Sequence, residues 1–189
     1  MPLPMSARQL LLETLPKATV GAEVGVFSGD FSAHLLRVAE PQLLHLIDPW
    51  LSVGDALRRW SVYGAGVRSQ ADMDQLHAAV LSRFAAQIAT GSVLVHRAPS
   101  GTALAAMPDR SLDWIYIDGD HSYEAVSADL RLGLAKVRPG GFICGDDYLP
   151  GGWWQGGVIR AVHDFLHEAQ PEVRIKFVID TQYMLSVVE

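Results

Sequence analysis

Apolar residues along this chain fall into short runs separated by segments of helical periodicity. Val20 to Phe27 is an apolar run interrupted by Glu23, and it predicts a first strand. Leu43 to Ile47, Val93 to His96, Leu112 to Ile117 and Phe142 to Gly145 predict four more. Between them, Asp30 to Ala39, Asp72 to Ala89, Ser122 to Lys136 and a stretch from Gly156 or Gly157 to about Ala169 read as helices. Ser6 to Leu15 reads as an amphipathic helix with Ser6 as N-cap, stopped by Pro16. Val173 to Ile179 and Tyr183 to Val188, joined by Asp180-Thr181-Gln182, read as a closing antiparallel hairpin. Alternating strands and helices argue an α/β fold with a doubly wound, mostly parallel sheet. No repeat or linker divides the 189 residues, so a single domain is expected, with residues 1–19 as an N-terminal helix and residues 51–66 as an irregular insert containing Trp60 and Tyr63.

Two of these runs end abruptly in acid. Ile115-Tyr116-Ile117 runs into Asp118-Gly119-Asp120-His121-Ser122-Tyr123, and Phe142 to Gly145 runs into Asp146-Asp147-Tyr148. The C-terminal edge of a parallel strand is where open α/β sheets bind ligands. Three carboxylates there, Asp118, Asp146 and Asp147, suit a hard divalent cation such as Mg²⁺. Two adjacent acids after an apolar strand are costly unless a cation compensates them. His121 is a candidate base, with helix capping as the alternative, and for Asp120 capping is the favoured reading.

The first strand leads into Glu23-Val24-Gly25-Val26-Phe27-Ser28-Gly29, a turn whose glycines let the backbone approach a ligand. Its spacing is not the G-x-G-x-x-G of dinucleotide-binding folds, which disfavours an NAD-dependent oxidoreductase. Asp48 ends the next strand, where an acid can accept hydrogen bonds from ribose hydroxyls; its alternative role is turn formation before Pro49. Together they favour nucleoside binding.

Glu23-x-Gly25-x-x-x-Gly29, Asp48, Tyr116-Ile117-Asp118-Gly119-Asp120-His121-Ser122-Tyr123, Pro139-Gly140-Gly141 and Gly145-Asp146-Asp147-Tyr148 resemble the class I S-adenosylmethionine-dependent methyltransferases. The pattern is similar, more narrowly, to the metal-dependent O-methyltransferases of the catechol and macrocin type. The resemblance runs from about Gly21 to the C-terminus. It implies a seven-stranded Rossmann-like sheet with the last strand antiparallel. It also implies that Glu23, Gly25 and Gly29, with Val26, Phe27 and Ser28 between them, surround the methionyl part of S-adenosylmethionine, while Asp48 holds the ribose. Ala98 and Ser100 would lie near the adenine, although family members often carry Gly or Asp in that segment. Trp50 either contacts the adenosine or packs in the core. Asp118 would border both donor and metal, and His121, at the offset where related enzymes place a base, would take the hydroxyl proton. The expected acceptor is a hydroxyl on a small molecule or sugar. A metal-independent methyltransferase and a non-catalytic nucleoside-binding module are the rival readings.

Composition narrows the partners. The net charge is −6 with 49% hydrophobic residues, and no Lys/Arg cluster suggests nucleic acid. The lone Cys144 lies in an apolar run and reads as a core residue in a reducing compartment. No run is long enough to span a membrane, and the N-terminus lacks a basic, then apolar, leader, so a cytoplasmic protein is expected. The short segments available to bind an acceptor leave open a site completed by a second subunit in a homo-oligomer. Gly151 to Gly157, flanking Trp153-Trp154, reads as a lid or as packed aromatics. The other six histidines, His34, His45, His77, His96, His163 and His167, fall on helices or strands and are taken as structural.

Overall fold

The computed structural model describes residues 6–54, 56, 58, 61–64 and 66–188; Trp60 lies outside the described residues. The strands are β1 (Val20–Val24), β2 (Leu43–Asp48), β3 (Val93–Arg97), β4 (Leu112–Ile117), β5 (Val137–Gly145), β6 (Val173–Ile179) and β7 (Gln182–Val187). The helices are α1 (Ala7–Thr14), α2 (Asp30–Val38), α3 (Gln70–Arg83), α4 (Ala85–Thr90), α5 (Ser100–Ala106), α6 (Tyr123–Lys136) and α7 (Gly157–Glu168). One seven-stranded sheet runs in the order β3-β2-β1-β4-β5-β7-β6. Strands β1 to β5 pair in parallel, and β7 enters antiparallel between β5 and β6.

The pleat sorts side chains to two cores. Ala22, Val24, Ile47, Ile115 and Ile117 meet α5, α6 and α7 through Leu104, Leu130 and Phe165. Leu44, Leu46, Trp114, Tyr116 and Cys144 meet α1, α2 and α3 through Leu11, Leu35 and Met73. Strand β4 is therefore buried at every position, the mark of a central parallel strand covered on both faces.

Strand order reverses direction between β1 and β4. The topology thus opens a crevice at their C-terminal ends, at Val24-Gly25 and Ile117-Asp118. The expected helix over 72–89 is two helices, α3 and α4. Phe84 leaves helical geometry between them (φ −104°, ψ 17°) as its ring is buried. Helix α3 begins at Gln70 because Ser69 and Asp72 form a capping box. Helix α5 was not anticipated. Its Gly and Ala content gives no apolar stripe, and only Ala103 and Leu104 are buried. The insert carries one isolated bridge, Val53 to Gly64. No described helix is long and apolar enough to cross a membrane.

Candidate active site

A cavity of about 790 Å³ lies over the crevice, lined from the glycine loop at one side to His121, Trp153 and Trp154 at the other. The loop is pressed against the β4 edge. Gly25 adopts φ +92°, and a Cβ there would sit 2.1 Å from the Asp118 carbonyl oxygen, so no larger residue fits. Of the residues expected to hold the donor, Glu23, Gly25, Val26, Phe27, Ser28, Asp48, Ser100 and Asp118 line the cavity.

Glu23 is fully buried at the cavity floor. Its Oε2 accepts from the Ser32 hydroxyl at 2.5 Å, while its Oε1 has no partner among the described residues. Burial raises its pKa well above the usual carboxylate range, with Ser32 pulling the other way. An unpartnered buried acceptor in a ligand cavity fits a cationic donor such as the ammonium of an aminoacyl group.

Asp48 is spent mostly on the protein itself. Its Oδ2 accepts from the Val26 and Phe27 amides, each at 2.9 Å, and from the Tyr63 hydroxyl at 2.5 Å; Oδ1 accepts from the Trp50 amide at 2.7 Å. The side chain clamps the glycine loop, and Tyr63, from the insert, closes over it. Trp50 does not line the cavity. It is buried against His77, and its indole N–H donates to the Phe27 carbonyl, which resolves its two expected roles in favour of packing. Gly29 forms the left-handed N-cap of α2 outside the cavity, and Ala98 packs on the core beside it; Pro99 and Ser100 provide that wall instead.

The acidic edge divides in two. Asp118, His121 and Asp147 each offer a ligand atom within 4.8 Å of one another. His121 Nε2 lies 3.2 Å from Asp147 Oδ2, and Asp147 reaches it by adopting φ +57°. Asp146, expected as a third carboxylate ligand, points elsewhere. Its Oδ1 accepts from the Asp147 amide (2.7 Å), Thr181 Oγ1 (2.5 Å) and Gln182 Nε2 (2.5 Å), and its Oδ2 pairs with Arg8. The hairpin turn and the first helix thus consume the carboxylate. Two carboxylates and one imidazole still fit a divalent cation, with His121 in the place assigned to Asp146.

Burial pushes the Asp118 pKa up to about 7, against the pull of Arg8 and with help from Asp147. Burial also lowers the pKa of His121, although Asp147 and Asp120 oppose it. A neutral imidazole at pH 7 follows. Asp120 accepts from the Ser122 amide at 2.9 Å and pairs with Arg58 at 2.6 Å, so it shapes the turn into α6, as expected. Trp154 and Trp153 flank His121, with ring centroids 4.9 and 6.1 Å away. Gly157, at the start of α7, packs on this turn, where a Cβ would meet the His121 carbonyl at 2.6 Å.

Arg8, Tyr63 and Asp129 are among the site residues that were not anticipated. Arg8 and Tyr63 come from segments with no motif. Asp129, on α6, is buried at the cavity wall beside Ser100, and burial pushes its pKa up to about 6. None of the six other histidines lines the cavity.

The methyltransferase-domain family profile matches residues 22–148. No curated protein matches the chain in sequence. Among solved structures, a protein of Clostridium thermocellum described as an rRNA methylase superposes with a TM-score of 0.68 at 10% identity, over 100% of this chain and 99% of that one. The O-methyltransferase TomG of Streptomyces achromogenes, solved in complex with SAM, gives 0.66 at 18% identity, over 99% and 82%. A SAM-dependent methyltransferase of Aquifex aeolicus gives 0.60 at 13%, over 96% and 88%. At these identities the likeness is one of fold.

Proposed function

The chain belongs to the methyltransferase-domain family, and on that premise we propose that it moves the methyl group of S-adenosylmethionine to a hydroxyl oxygen of a small molecule, aided by a divalent cation. One observation carries the proposal. A single cavity holds the unpartnered Glu23 Oε1 beside the glycine loop at one end and the Asp147-held His121 at the other. Glu23 fits the ammonium of the donor's methionyl tail, and Gly25 lets the loop beside that tail press against the β4 edge.

His121 is the proposed base. An Nε2–H donated to Asp147 fixes the ring and leaves Nδ1 bare to take the acceptor's hydroxyl proton. The acceptor oxygen then bonds to the methyl carbon as the sulfur–carbon bond breaks, and the sulfonium becomes a neutral thioether. Opposite charges vanish in that step, so a site screened from water favours it, and Trp153 and Trp154 stand where they would screen it. Asp118 and Asp147 would hold the cation, which when bound would favour the ionised hydroxyl, while His121 beside them keeps its Nδ1 for the proton. Metal-independent transfer is the second reading, favoured by the Arg8 guanidinium already placed against two of the acids.

Calorimetry with S-adenosylhomocysteine and with NAD⁺ tests the donor. Preference for the adenosyl compound is expected, and preference for NAD⁺ would defeat the proposal. Transfer of a labelled methyl to vicinal diols, with and without chelator, separates the two readings: activity that survives excess chelator selects the metal-independent one.

A further inference from the structure

Arg8 stands one helical turn ahead of Leu11 and Leu12 and two ahead of Leu15. Leu11 and Leu12 are the buried residues of α1, and its C-cap Leu15 is buried in line with them. That spacing puts Arg8 on the same face as the leucines, at the end of the stripe that overhangs the strand edges. Its guanidinium bridges the carboxylates that close β4 and β5: it pairs with Asp146 Oδ2 and lies 3.4 Å from Asp118 Oδ2. Its guanidinium carbon also lies over the Phe31 ring, 4.6 Å from the centroid, a cation–π contact that helps to hold the head in place. The anchoring is thus built from the core outward rather than being a chance surface pair. Asp118 is shared: the same carboxylate belongs to the cluster with His121 and Asp147.

We propose that Arg8 is a built-in counter-cation of the acidic edge, so that a divalent ion enters the Asp118–His121–Asp147 cluster in competition with Arg8. The inference rests on the metal reading above and concerns how readily the cluster is filled. Two cations sharing one carboxylate repel each other, and Arg8 draws electron density from the Asp118 carboxylate that a metal would use. A unit charge next to a divalent ion is worth about tenfold or more in affinity even at a wet protein rim. Arg8 would then set the threshold at which the edge changes from a metal-free, internally paired form to a loaded one.

The test is Mn²⁺ binding to the full chain, followed by the loss of the free-ion paramagnetic resonance signal, for the wild type, Arg8→Met, Arg8→Gln and Arg8→Lys. Methionine keeps an apolar side chain beside Phe31, and glutamine guards against a packing artefact. Affinity for S-adenosylhomocysteine is measured in parallel as a check that the site is folded. Both neutral variants are expected to bind Mn²⁺ about tenfold more tightly or better. Arg8→Lys, which keeps the charge, is expected to stay near the wild type. Equal Mn²⁺ affinity in the wild type and neutral variants overturns the counter-cation role while leaving the metal reading intact. Weaker binding in the neutral variants overturns it too, because Arg8 would then support the site. Absence of Mn²⁺ binding in every protein, with S-adenosylhomocysteine still bound, removes both this role and the metal.

Discussion

At the scale of single residues, the site separates groups that must bind from groups that must react. Glu23 carries a buried carboxylate with one oxygen unanswered, so Glu23→Gln is expected to weaken S-adenosylhomocysteine binding by about tenfold or more, the worth of a charge-assisted hydrogen bond. The same variant should melt no lower than the wild type. Burial raises the pKa of Glu23, so its ionised form costs stability above pH ~4.3, where the unfolded group is charged. Unchanged affinity by calorimetry would take Glu23 out of the donor site. His121→Ala is expected to lose about 10²- to 10⁴-fold in kcat yet keep its affinity for the donor. If Mn²⁺ affinity collapses as well, His121 is a metal ligand and not the base. Asp118 and His121 were legible in the sequence because a buried strand ending in acid is a local pattern. The division of Asp146 from Asp147 was not. It depends on the left-handed φ of Asp147 and on Thr181 and Gln182, which only the folded hairpin brings near. Arg8 lies 110 residues from Asp118, and no local signal joins them.

At the scale of elements, strands and long helices were legible, and the departures have local causes. The helix over 72–89 breaks because the core takes Phe84, and α5 hides in a run of small residues. Burial pattern also explains a pair the sequence left as structural. His45 on β2 and His96 on β3 lie on adjacent parallel strands, with Nδ1 and Nε2 2.9 Å apart and the rings stacked. Burial, and secondarily His96, lowers the pKa of His45 to about 4, and burial lowers that of His96. A histidine depressed in the folded state leaves the unfolded state holding the extra proton. Stability from this pair is therefore complete above pH ~6.5 and is lost as pH falls toward about 4. Urea midpoints at pH 7, 5.5 and 4 should show the wild type losing more than His45→Gln, by about 1–2 kcal/mol once solvent screening of half-buried groups is allowed for. Parallel pH profiles for the two proteins would sink this account.

At the scale of the whole molecule, the site exists because the strand order reverses between β1 and β4, and close backbone packing at their C-terminal ends closes that seam. Gly25 carries it, as the loop after β1 presses on the Asp118 carbonyl and the Asp118 amide donates to the Val24 carbonyl at 2.8 Å. Gly25→Ala must either force a φ of +92° on an alanine or push the two edges apart by more than the atoms allow. The expected cost is about 2–4 kcal/mol of stability together with loss of donor binding, because the same movement tilts Glu23 and Asp118 away from one another. Gly101 provides the contrast. It lies within α5, a Cβ there meets nothing within 4 Å, and its φ is not left-handed. Gly101→Ala should therefore stabilise by about 0.5–1 kcal/mol through helix propensity and leave donor affinity untouched. Thermal melts and S-adenosylhomocysteine calorimetry on the two variants would check both halves. If Gly25→Ala binds like Gly101→Ala, the seam between β1 and β4 is not what shapes the site.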